Sequence, residues 1–392
     1  GRFTLDRIPK NSLIKISKKE FEKKYGFLDF SIAVAPGRIN IIGEHTDYNN
    51  GLAMPIAINR WICCVSKKRT DSKINAYSVE LNKSFNSNIN NSEPNELWEK
   101  YVAGCIKVVN HNYNVASGFD ILIVSSIPMG YGLSSSAALE ISLIGSMIHE
   151  YGFKVDLSLI LNLASKVENQ YLKINSGKLD QYASLYSIKD KPMIIDFSNL
   201  THRYVNVKIQ NSVWILINSM VSRELVDSKY NQRVDECKLG LKKINEQLLE
   251  AKLFNELSLN DLNIIKKEDV LYKRIYHVIS ENIRVLAMEK ALRSGNLNKI
   301  GEILDDSHKS LSENYEVSCA EIEDIIKISN KQKGFYGGRI MGGGFGGCTI
   351  NLVDEFHKKK FIDKVKSEFY EKNGFSIDAM TVDFSSGLNV ID

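Results

Sequence analysis

The chain has 392 residues, of which 43% are hydrophobic and 25% charged, and these are ordinary values for a globular protein. The composition excludes a disordered tail, a collagen-like fibre and a disulfide-stapled miniprotein, and the length predicts two domains or one large one. Lys and Arg exceed Asp and Glu by only 51 to 47 and are scattered along the chain, so nucleic-acid binding is not expected.

Membrane and secretion signals are missing from the sequence as given. It contains no run of 18 apolar residues, and its first residues lack the apolar core of a secretory signal. We therefore expect a cytoplasmic protein without a membrane partner. The six cysteines form no CxxC pair and lie mostly among apolar residues, which favours buried thiols in a reducing compartment over a zinc site.

The first half of the chain alternates predicted strands with predicted helices. Apolar runs predict strands at 30–37, 39–42, 52–58, 61–68, 118–128, 191–198 and 211–220. Apolar residues at helical spacing predict helices at 12–25, 96–111, 135–151 and 156–172.

The second half has a different character. Residues 224–330 are rich in Leu, Lys and Glu with few helix breakers, and we expect them to be almost wholly helical. A strand at 348–353, a helix at 355–374 and a strand at 379–384 follow a glycine-rich loop. The pattern predicts an α/β first half and an α+β second half. The composition shift near residue 205 predicts an N-terminal domain at 1–205 and a C-terminal domain at 206–392.

One loop, Gly130–Ala138, has the residues of a phosphate-binding site. Two glycines allow the backbone to approach a ligand, and three serines supply hydroxyls. The helix that follows offers unpaired N–H groups and the positive end of its dipole. The loop lacks the lysine of a Walker A motif. Its alternative interpretation is an ordinary capped turn between a strand and a helix.

Two other loops are unusual. In Gly342–Gly347 five glycines surround Phe345 just before a predicted strand, which favours a close backbone approach to a substrate over a flexible linker. In residues 35–48 four charged or ionisable side chains fall within ten positions, and carboxylates there can accept hydrogen bonds from sugar hydroxyls. The members of this group are Arg38, Glu44, His45 and Asp47. We favour ligand contact over a structural role for them.

Together these loops resemble the GHMP small-molecule kinases and, within them, the galactokinases. The segment 37–51 (GRINIIGEHTDYNNG) matches the sugar-binding signature of the family, 128–140 (PMGYGLSSSAALE) matches its ATP-phosphate loop, and 337–350 (GGRIMGGGFGGCTI) matches its third motif. The segment 167–181 (VENQYLKINSGKLDQ) looks like the part that carries a metal carboxylate and the catalytic aspartate. The resemblance runs from about residue 30 to the C-terminus.

The resemblance implies a two-lobed GHMP kinase fold of α+β and α/β type, with mixed β-sheets, helices and an active site in the cleft between the domains. It implies the ATP- and Mg²⁺-dependent phosphorylation of D-galactose at C1, which yields α-D-galactose 1-phosphate and ADP and begins the Leloir pathway of galactose catabolism. Two alternatives stay open. One is a 1-kinase for N-acetylgalactosamine or another galacto-configured sugar, and the other is a sugar sensor without catalysis. We expect a monomer, with a dimer as the alternative.

The resemblance also implies roles for individual residues. Asp180 and Arg38 would be catalytic, as the base for the anomeric hydroxyl and as the group that stabilises charge on the transferred phosphoryl group. Sugar binding would fall to Glu44, His45, Thr46, Asp47, Gly177, Asp180 and Tyr230. ATP binding would fall to Ser78, Trp98, Gly130, Tyr131, Gly132, Leu133, Ser134, Ser135 and Ser136. Ser136 and Glu168 would hold Mg²⁺.

The chemistry of phosphoryl transfer suits these residue types. Its transition state is loose and spreads charge over the equatorial oxygens, so positioning and positive charge dominate catalysis. Mg²⁺ prefers few protein oxygens beside those of ATP, and one hydroxyl with one carboxylate meets that preference. An aspartate beside an arginine has a lowered pKa, because the guanidinium favours the ionised form. Asp180 would then either accept the proton late or only orient the hydroxyl.

The sequence departs from the family pattern at three positions. Lys178 and Met341 replace an apolar residue and a threonine, respectively, and Tyr131 fills a variable position in the phosphate loop. We expect the Lys178 side chain to point to solvent. None of the three departures removes a residue with an implied catalytic role.

Overall fold

The computed structural model of the protein describes residues 5–27, 29–174, 176–222 and 226–392. Within these ranges the strands are, in chain order, β1 (Ser31–Asn40), β2 (Leu52–Ala53), β3 (Pro55–Lys68), β4 (Lys73–Ser78), β5 (Lys83–Asn88), β6 (Phe119–Ser125), β7 (Met193–Asp196), β8 (Thr201–Tyr204), β9 (Ser212–Asn218), β10 (Phe335–Met341), β11 (Cys348–Asp354), β12 (Asp378–Val382) and β13 (Asn389–Ile391). The α-helices are α1 (Lys10–Tyr25), α2 (Leu97–Tyr113), α3 (Ser135–Glu150), α4 (Leu157–Lys166), α5 (Leu179–Tyr186), α6 (Val226–Asn245), α7 (Val270–Ser294), α8 (Leu297–Glu313), α9 (Ala320–Asn330) and α10 (Lys358–Asn373).

A six-stranded sheet, in the order β13–β1–β3–β6–β4–β5, forms the centre of the first half. Its neighbours are antiparallel except for the parallel pair β4–β6. Helix α3 packs on β1 and β3, while α1 packs on β3 and β6. All ten residues of β1 are buried, and its side chains pack into two separate core clusters. A strand covered in this way needs apolar residues without alternation, which is why the sequence around 30–37 is a continuous apolar run.

Helix α3 is the central helix of this half. Its residues from Ala137 to Ile148 are all buried, because the sheet lies on one side and α2, α4 and α5 pack around the others. Most of these residues are apolar, as expected for a helix that is buried on all sides, and the buried polar exceptions are Glu140, Ser142 and Ser146. The first turn of α3 begins directly after the loop Gly130–Ser134, so the rigid core of this half fixes the position of that loop.

The second half contains a four-stranded antiparallel sheet in the order β10–β11–β9–β12. Helix α8 packs on β10, α9 packs on β10 and β11, and α10 packs on α9 and β11. Helices α6, α7 and α8 pack side by side, and α7 also contacts β2 of the first half. The small sheet β2–β7–β8 lies beside that contact. As a result, strand β10, which leads into the third motif, lies beside the sugar signature.

The helical prediction for 224–330 is wrong between α6 and α7, and residues 224 and 225 lie outside the described part of the chain. The segment 246–269 contains only short 3₁₀ turns. Side chains compete there with helical hydrogen bonding, because Glu256 accepts from the N–H of Leu253 and Asp261 accepts from the N–H of Ser258.

The sequence prediction also missed strands β4, β5, β8, β10 and β13. β4, β5 and β8 carry many polar residues, β10 contains two glycines and β13 has only three residues, and all five are ordered by hydrogen bonds to a neighbouring strand. The predicted domain boundary at 205/206 falls between β8 and β9. Strand β13 crosses back to pair with β1 of the first sheet, so the boundary stays a prediction. Within the described ranges we find no helix whose length and apolar character would let it span a membrane.

Candidate active site

A cavity of about 150 Å³ opens between residues of the two halves of the chain. The first half contributes Arg38, Asn40, Gly43, Glu44, His45, Asp47, Tyr48, Leu179 and Asp180, and the second contributes Tyr230, Gly342 and Gly343. Three carboxylates, two hydroxyls and one guanidinium come from half of the lining residues. Such a wall can exchange hydrogen bonds with a ligand that carries many hydroxyl groups.

An ion pair between Arg38 and Asp180 forms one side of the cavity. Arg38 Nε lies 2.8 Å from Asp180 Oδ1. Arg38 stands next to a register shift in β1, and Asp180 lies in the first turn of α5. The arginine side chain is nearly buried, whereas 38% of the Asp180 side chain is exposed to the cavity side. The aspartate therefore has a free face toward a ligand while the arginine fixes its orientation.

The same arginine connects this pair to the predicted phosphate loop. Its Nη1 donates to the carbonyl of Gly132 at 2.9 Å, and its main-chain N–H donates to the carbonyl of Leu133 at 3.1 Å. Gly130, Gly132 and Ser134 all have positive φ angles, which bends the loop sharply before α3. Ser135 and Ser136 then form the first turn of α3. The free N–H groups of the first turn of α3 and the hydroxyls of its serines thus lie at the N-terminal end of the helix, next to the loop that Arg38 contacts.

Tyr131 turns its side chain away from this loop. It is buried, and its hydroxyl donates to Asp378 Oδ2 of β12 at 2.5 Å. Only its main chain belongs to the phosphate loop. The other two departures are also accounted for, because Lys178 is exposed at the N-terminus of α5 and Met341 is buried in the core at the end of β10.

Two acidic residues of the sugar signature face the cavity. Burial, followed by the charges of Asp180 and Glu44, raises the pKa of Asp47 to about 6. A Cβ atom at Gly177 would collide with the Asp47 carboxylate, so glycine at this position is what allows the loop before α5 to lie against Asp47. The Glu44 carboxylate is held by Arg339 Nη1 and by the N–H of Gly342, each 3.1 Å from its Oε1.

His45 has a positive φ of 60° and both of its ring nitrogens are engaged. Nε2 donates to the carbonyl of Gly343 at 3.1 Å, and Nδ1 accepts from the Tyr48 hydroxyl at 2.8 Å. Burial, followed by the charge of His277, lowers its pKa to about 3, so the ring is neutral. The ring of Tyr230 lies 5.6 Å from that of His45, centre to centre. In this arrangement His45 joins the sugar signature to the third motif.

Thr46 has no place in the cavity wall. Its hydroxyl lies within hydrogen-bonding distance of the carbonyls of Gly43 and Leu52, at 3.1 and 2.6 Å. These contacts close the turn that carries Glu44 and Asp47. The structure therefore supports a structural contribution of Thr46 to sugar binding more than a direct contact.

The residues predicted to hold Mg²⁺ meet through Tyr101. Its hydroxyl donates to Glu168 Oε1 at 3.3 Å and also interacts with the Ser136 side chain. Glu140 lies next to Glu168, is fully buried, and has no hydrogen-bond partner on either carboxylate oxygen among the described residues. Burial, followed by the neighbouring Glu168, raises the pKa of Glu140.

This donor set fits Mg²⁺ but not a metal that needs a full cage of protein ligands. Among the described residues no three His, Cys, Asp or Glu side chains are grouped to hold a metal ion. A hydroxyl and a carboxylate beside a phosphate loop match the habit of Mg²⁺, which takes most of its oxygens from water and phosphate. Glu140 places a second buried carboxyl group at the same place, with a pKa that burial and Glu168 raise.

The two residues predicted to contact the nucleotide lie on β4 and on α2. Ser78 is buried at the end of β4, opposite Ile123 of β6, the strand that leads into the loop. Trp98 lies in the first turn of α2, where its Nε1 donates to Glu96 Oε2 at 3.0 Å. Their contact with the nucleotide stays a prediction.

Sequence reasoning missed four residues that support the site. Tyr101 and Glu140 flank Glu168, while Arg339 and Glu281 hold Glu44. Tyr101 and Glu281 carry no local signal, because they lie in ordinary helical patterns far from the motifs. Glu140 and Arg339 do carry one, since Glu140 ends the segment that matches the ATP-phosphate loop and Arg339 lies in the segment that matches the third motif.

Comparisons with known proteins identify the class and the family. The "Galactokinase galactose-binding signature" model matches residues 19–68, "GHMP kinases N terminal domain" matches 100–187, and "GHMP kinases C terminal" matches 288–372. The chain is 32% identical to a galactokinase of Clostridium beijerinckii, over 96% of this chain and 99% of the relative. It is 37% identical to one of Clostridium tetani, over 96% and 97%.

Solved structures agree. The chain superposes on Lactococcus lactis galactokinase complexed with galactose with a TM-score of 0.87 and 33% identity, over 96% of this chain and 99% of the other. A mevalonate kinase at 20% identity and a TM-score of 0.65 shares the fold. The fold and the site therefore define a GHMP kinase, with two domains and mixed sheets packed against helices. Within that class the chain belongs to the galactokinase family.

Proposed function

We propose that the protein is a galactokinase that transfers the γ-phosphoryl group of ATP to the C1 hydroxyl of D-galactose, with Mg²⁺ as cofactor. The observation that carries this proposal is the Arg38–Asp180 ion pair, which stands between a polar cavity and a phosphate loop. The family of the chain and the galactose complex of its L. lactis neighbour support the choice of sugar.

Asp180 and Arg38 would divide the work of the transfer step. Asp180 accepts a hydrogen bond from the C1 hydroxyl and orients it toward the γ-phosphorus atom. It receives the hydroxyl proton as the new P–O bond forms and the bond between the γ-phosphorus and the bridging oxygen breaks to release ADP. Arg38 holds the carboxylate and places positive charge near the transferred group, where charge spreads over the equatorial oxygens. The 2.8 Å contact between Arg38 Nε and Asp180 Oδ1 holds both side chains in position before the substrates bind.

The remaining predicted residues would bind and orient the substrates. Glu44, Asp47, Tyr230 and the backbone near Gly177 surround the sugar, and His45 and Thr46 keep the loop that carries them in shape. The ATP phosphates would lie on Gly130–Ser136, with Ser78 and Trp98 toward the base. Ser136 and Glu168 would hold Mg²⁺, which when bound screens the phosphate charges and aligns the phosphoryl group.

A sugar panel tests the proposal. The purified protein with MgATP should release ADP with galactose far faster than with its C4 epimer glucose, and the product should carry phosphate on C1. Activity confined to N-acetylgalactosamine would assign a different galacto-configured substrate. Sugar binding without any phosphorylated product would identify a sensor and overturn the enzymatic proposal.

We also propose a monomeric, cytoplasmic enzyme with domains at 1–205 and 206–392. The described residues of a single chain are enough to form the cavity wall, and this is the basis for proposing a monomer. None of the six cysteines, all of which are described, forms a disulfide, and ATP is a cytoplasmic substrate. Light scattering in solution tests the first point, and fractionation of cells tests the second.

A further inference from the structure

Arg339 is a charged side chain that the transfer mechanism does not use. It lies in β10 and is fully buried. Its Nε donates to the carbonyl of Ile41 at 3.0 Å, its Nη2 donates to the carbonyl of Asn40, and its Nη1 donates to the carbonyl of Ile340 at 2.7 Å. Burying a guanidinium is costly unless its donors are paired, and here they pair mostly with the backbone that leads into the sugar signature.

The remaining contact of Arg339 reaches the cavity wall. Its Nη1 also lies 3.1 Å from Glu44 Oε1, and the N–H of Gly342 donates to the same oxygen at 3.1 Å. One oxygen of Glu44 is therefore committed to strand β10 and the third motif. The carboxylate itself still lines the cavity. A carboxylate held by one oxygen presents the other in a fixed direction.

Helix α7 holds the main chain of Glu44 from the other side. The N–H of Glu44 donates to Glu281 Oε2 at 3.0 Å, and His277 Nε2 donates to the carbonyl of Glu44 at 3.1 Å. Ser307 of α8 donates to Glu281 Oε2 at 2.8 Å, and Arg284 Nε lies 2.6 Å from Glu281 Oε1. Burial alone would raise the pKa of Glu281, but Arg284, His277 and Arg339 outweigh it and lower the pKa to about 2.

We propose that Arg339 and Glu281 are positioning residues for sugar recognition, which fix the Glu44 carboxylate from outside the cavity so that it is ready to accept a sugar hydroxyl. The inference rests on the proposed function. Because the carboxylate is ordered before binding, the sugar does not bear the entropic cost of ordering it. Sugar affinity then depends on Arg339 of β10 and Glu281 of α7, although neither side chain belongs to the cavity wall.

Arg339→Lys tests the inference. Lysine keeps the charge but offers one compact ammonium, which cannot span the carbonyls of Asn40, Ile41 and Ile340 together with Glu44. We expect the Kd for galactose, measured by calorimetry without ATP, to rise about 10- to 100-fold. The KM for ATP and kcat at saturating sugar should change by less than about threefold, since the Arg38–Asp180 pair and the phosphate loop are untouched.

Arg274→Lys is a matched control. Arg274 is also a nearly buried arginine with carboxylate partners, Glu236 and Glu316, and a main-chain acceptor, but it lies outside the cavity wall. This exchange should leave the Kd for galactose unchanged. Equal losses of sugar affinity in both lysine variants would show a general packing effect and overturn the inference.

Two further variants separate positioning from stability. In a double-mutant cycle, Arg339→Lys should cost little once Glu44→Gln has been made, because the two changes remove the same contact. Fully additive losses would contradict the inference. If Arg339→Lys does not fold, Glu281→Gln should give the same selective rise in Kd, and an unchanged Kd in that variant would overturn the role of α7. If the wild-type protein binds galactose but forms no product, the proposed function is overturned and the inference about positioning is not.

Discussion

Asp180 combines two requirements that conflict in most carboxylates. It must offer a free oxygen that can accept a proton, and it must stay oriented although part of its side chain is exposed. Arg38 resolves the conflict, because a 2.8 Å contact to Nε holds one oxygen and leaves the other facing the cavity. His45 differs from Asp180, because burial keeps its ring neutral and both ring nitrogens are hydrogen-bonded within the protein.

At this scale we predict that Asp180→Ala loses turnover by at least about 100-fold while the Kd for ATP changes little, because general-base and positioning contributions of this kind are of that order. Asp180→Asn should be equally inactive if proton acceptance matters, and partly active if orientation alone does. Coupled ADP release and nucleotide binding measured separately provide the test. Lys178→Ala, two residues earlier and exposed, is the control and should keep full activity. Turnover of Asp180→Ala close to wild type would remove Asp180 from the mechanism.

The elements show what the sequence could and could not reveal. Apolar runs identified β1, β3 and β6 because these strands are buried, and the three loops were recognisable because glycine, serine and acidic residues have few other reasons to cluster. Strands β4 and β5 escaped because hydrogen bonds to neighbours, rather than an apolar pattern, define them. The contacts of Glu44 with Glu281 and Arg339 could not be predicted from the sequence, because the partners lie 237 and 295 positions away from Glu44 in the chain.

The loop of the third motif carries a prediction about backbone shape. Gly344 has a φ of +98°, and a Cβ atom there would lie 2.6 Å from Val317. Gly344→Ala should therefore lower the unfolding free energy by about 2 kcal/mol or more, since strain and steric overlap add. Gly374→Ala is the matched control, because this glycine also has a positive φ but a Cβ would meet nothing within 4 Å. Denaturant unfolding measures the unfolding free energy of both variants. An equal loss of unfolding free energy in the two would mean that steric overlap contributes nothing.

Helix α7 carries a prediction about pH. Burial lowers the pKa of His277 to about 4, with Glu281 and Arg284 on the same helix and Arg339 on β10 as its charged neighbours. The unfolded chain protonates this histidine near its ordinary value of about 6.5, whereas the folded chain does not. The stabilising contribution of neutral His277 is thus present above that value and is lost as the pH falls toward 4.

The variant His277→Asn tests this pH dependence. The wild-type unfolding free energy should fall more steeply than that of His277→Asn between pH 6.5 and 4.5, by up to about 1.4 kcal/mol per pH unit, because the variant lacks the proton uptake of unfolding. Denaturant titrations across this range measure the slopes. His111→Asn, at an exposed histidine of α2, is the control and should retain the wild-type slope. Identical slopes in wild type and His277→Asn would contradict the prediction.

For the whole molecule, the cavity joins two halves of the chain. Its wall takes Arg38, Asp47 and Asp180 from around the first sheet and Tyr230 and Gly343 from the second half. Strand β13 returns to pair with β1, and α7 contacts β2, so the halves are connected at places other than the cavity. A sugar in the cavity adds one more connection, and it should stabilise both halves together rather than one of them.

We predict that galactose at 100 times its Kd raises the unfolding free energy by about 2.7 kcal/mol, which is the mass-action value for a ligand that binds only the folded chain. The rise should continue logarithmically with concentration and should appear as one shifted transition, because both halves hold the ligand. Scanning calorimetry at several galactose concentrations measures it. Glucose, which differs at C4 alone, is the matched sugar control, and Asp47→Asn the matched protein control; each should give a much smaller shift. A shift confined to one of two transitions would place the sugar in a single half, and an equal shift with glucose would show that the cavity does not recognise the galacto configuration.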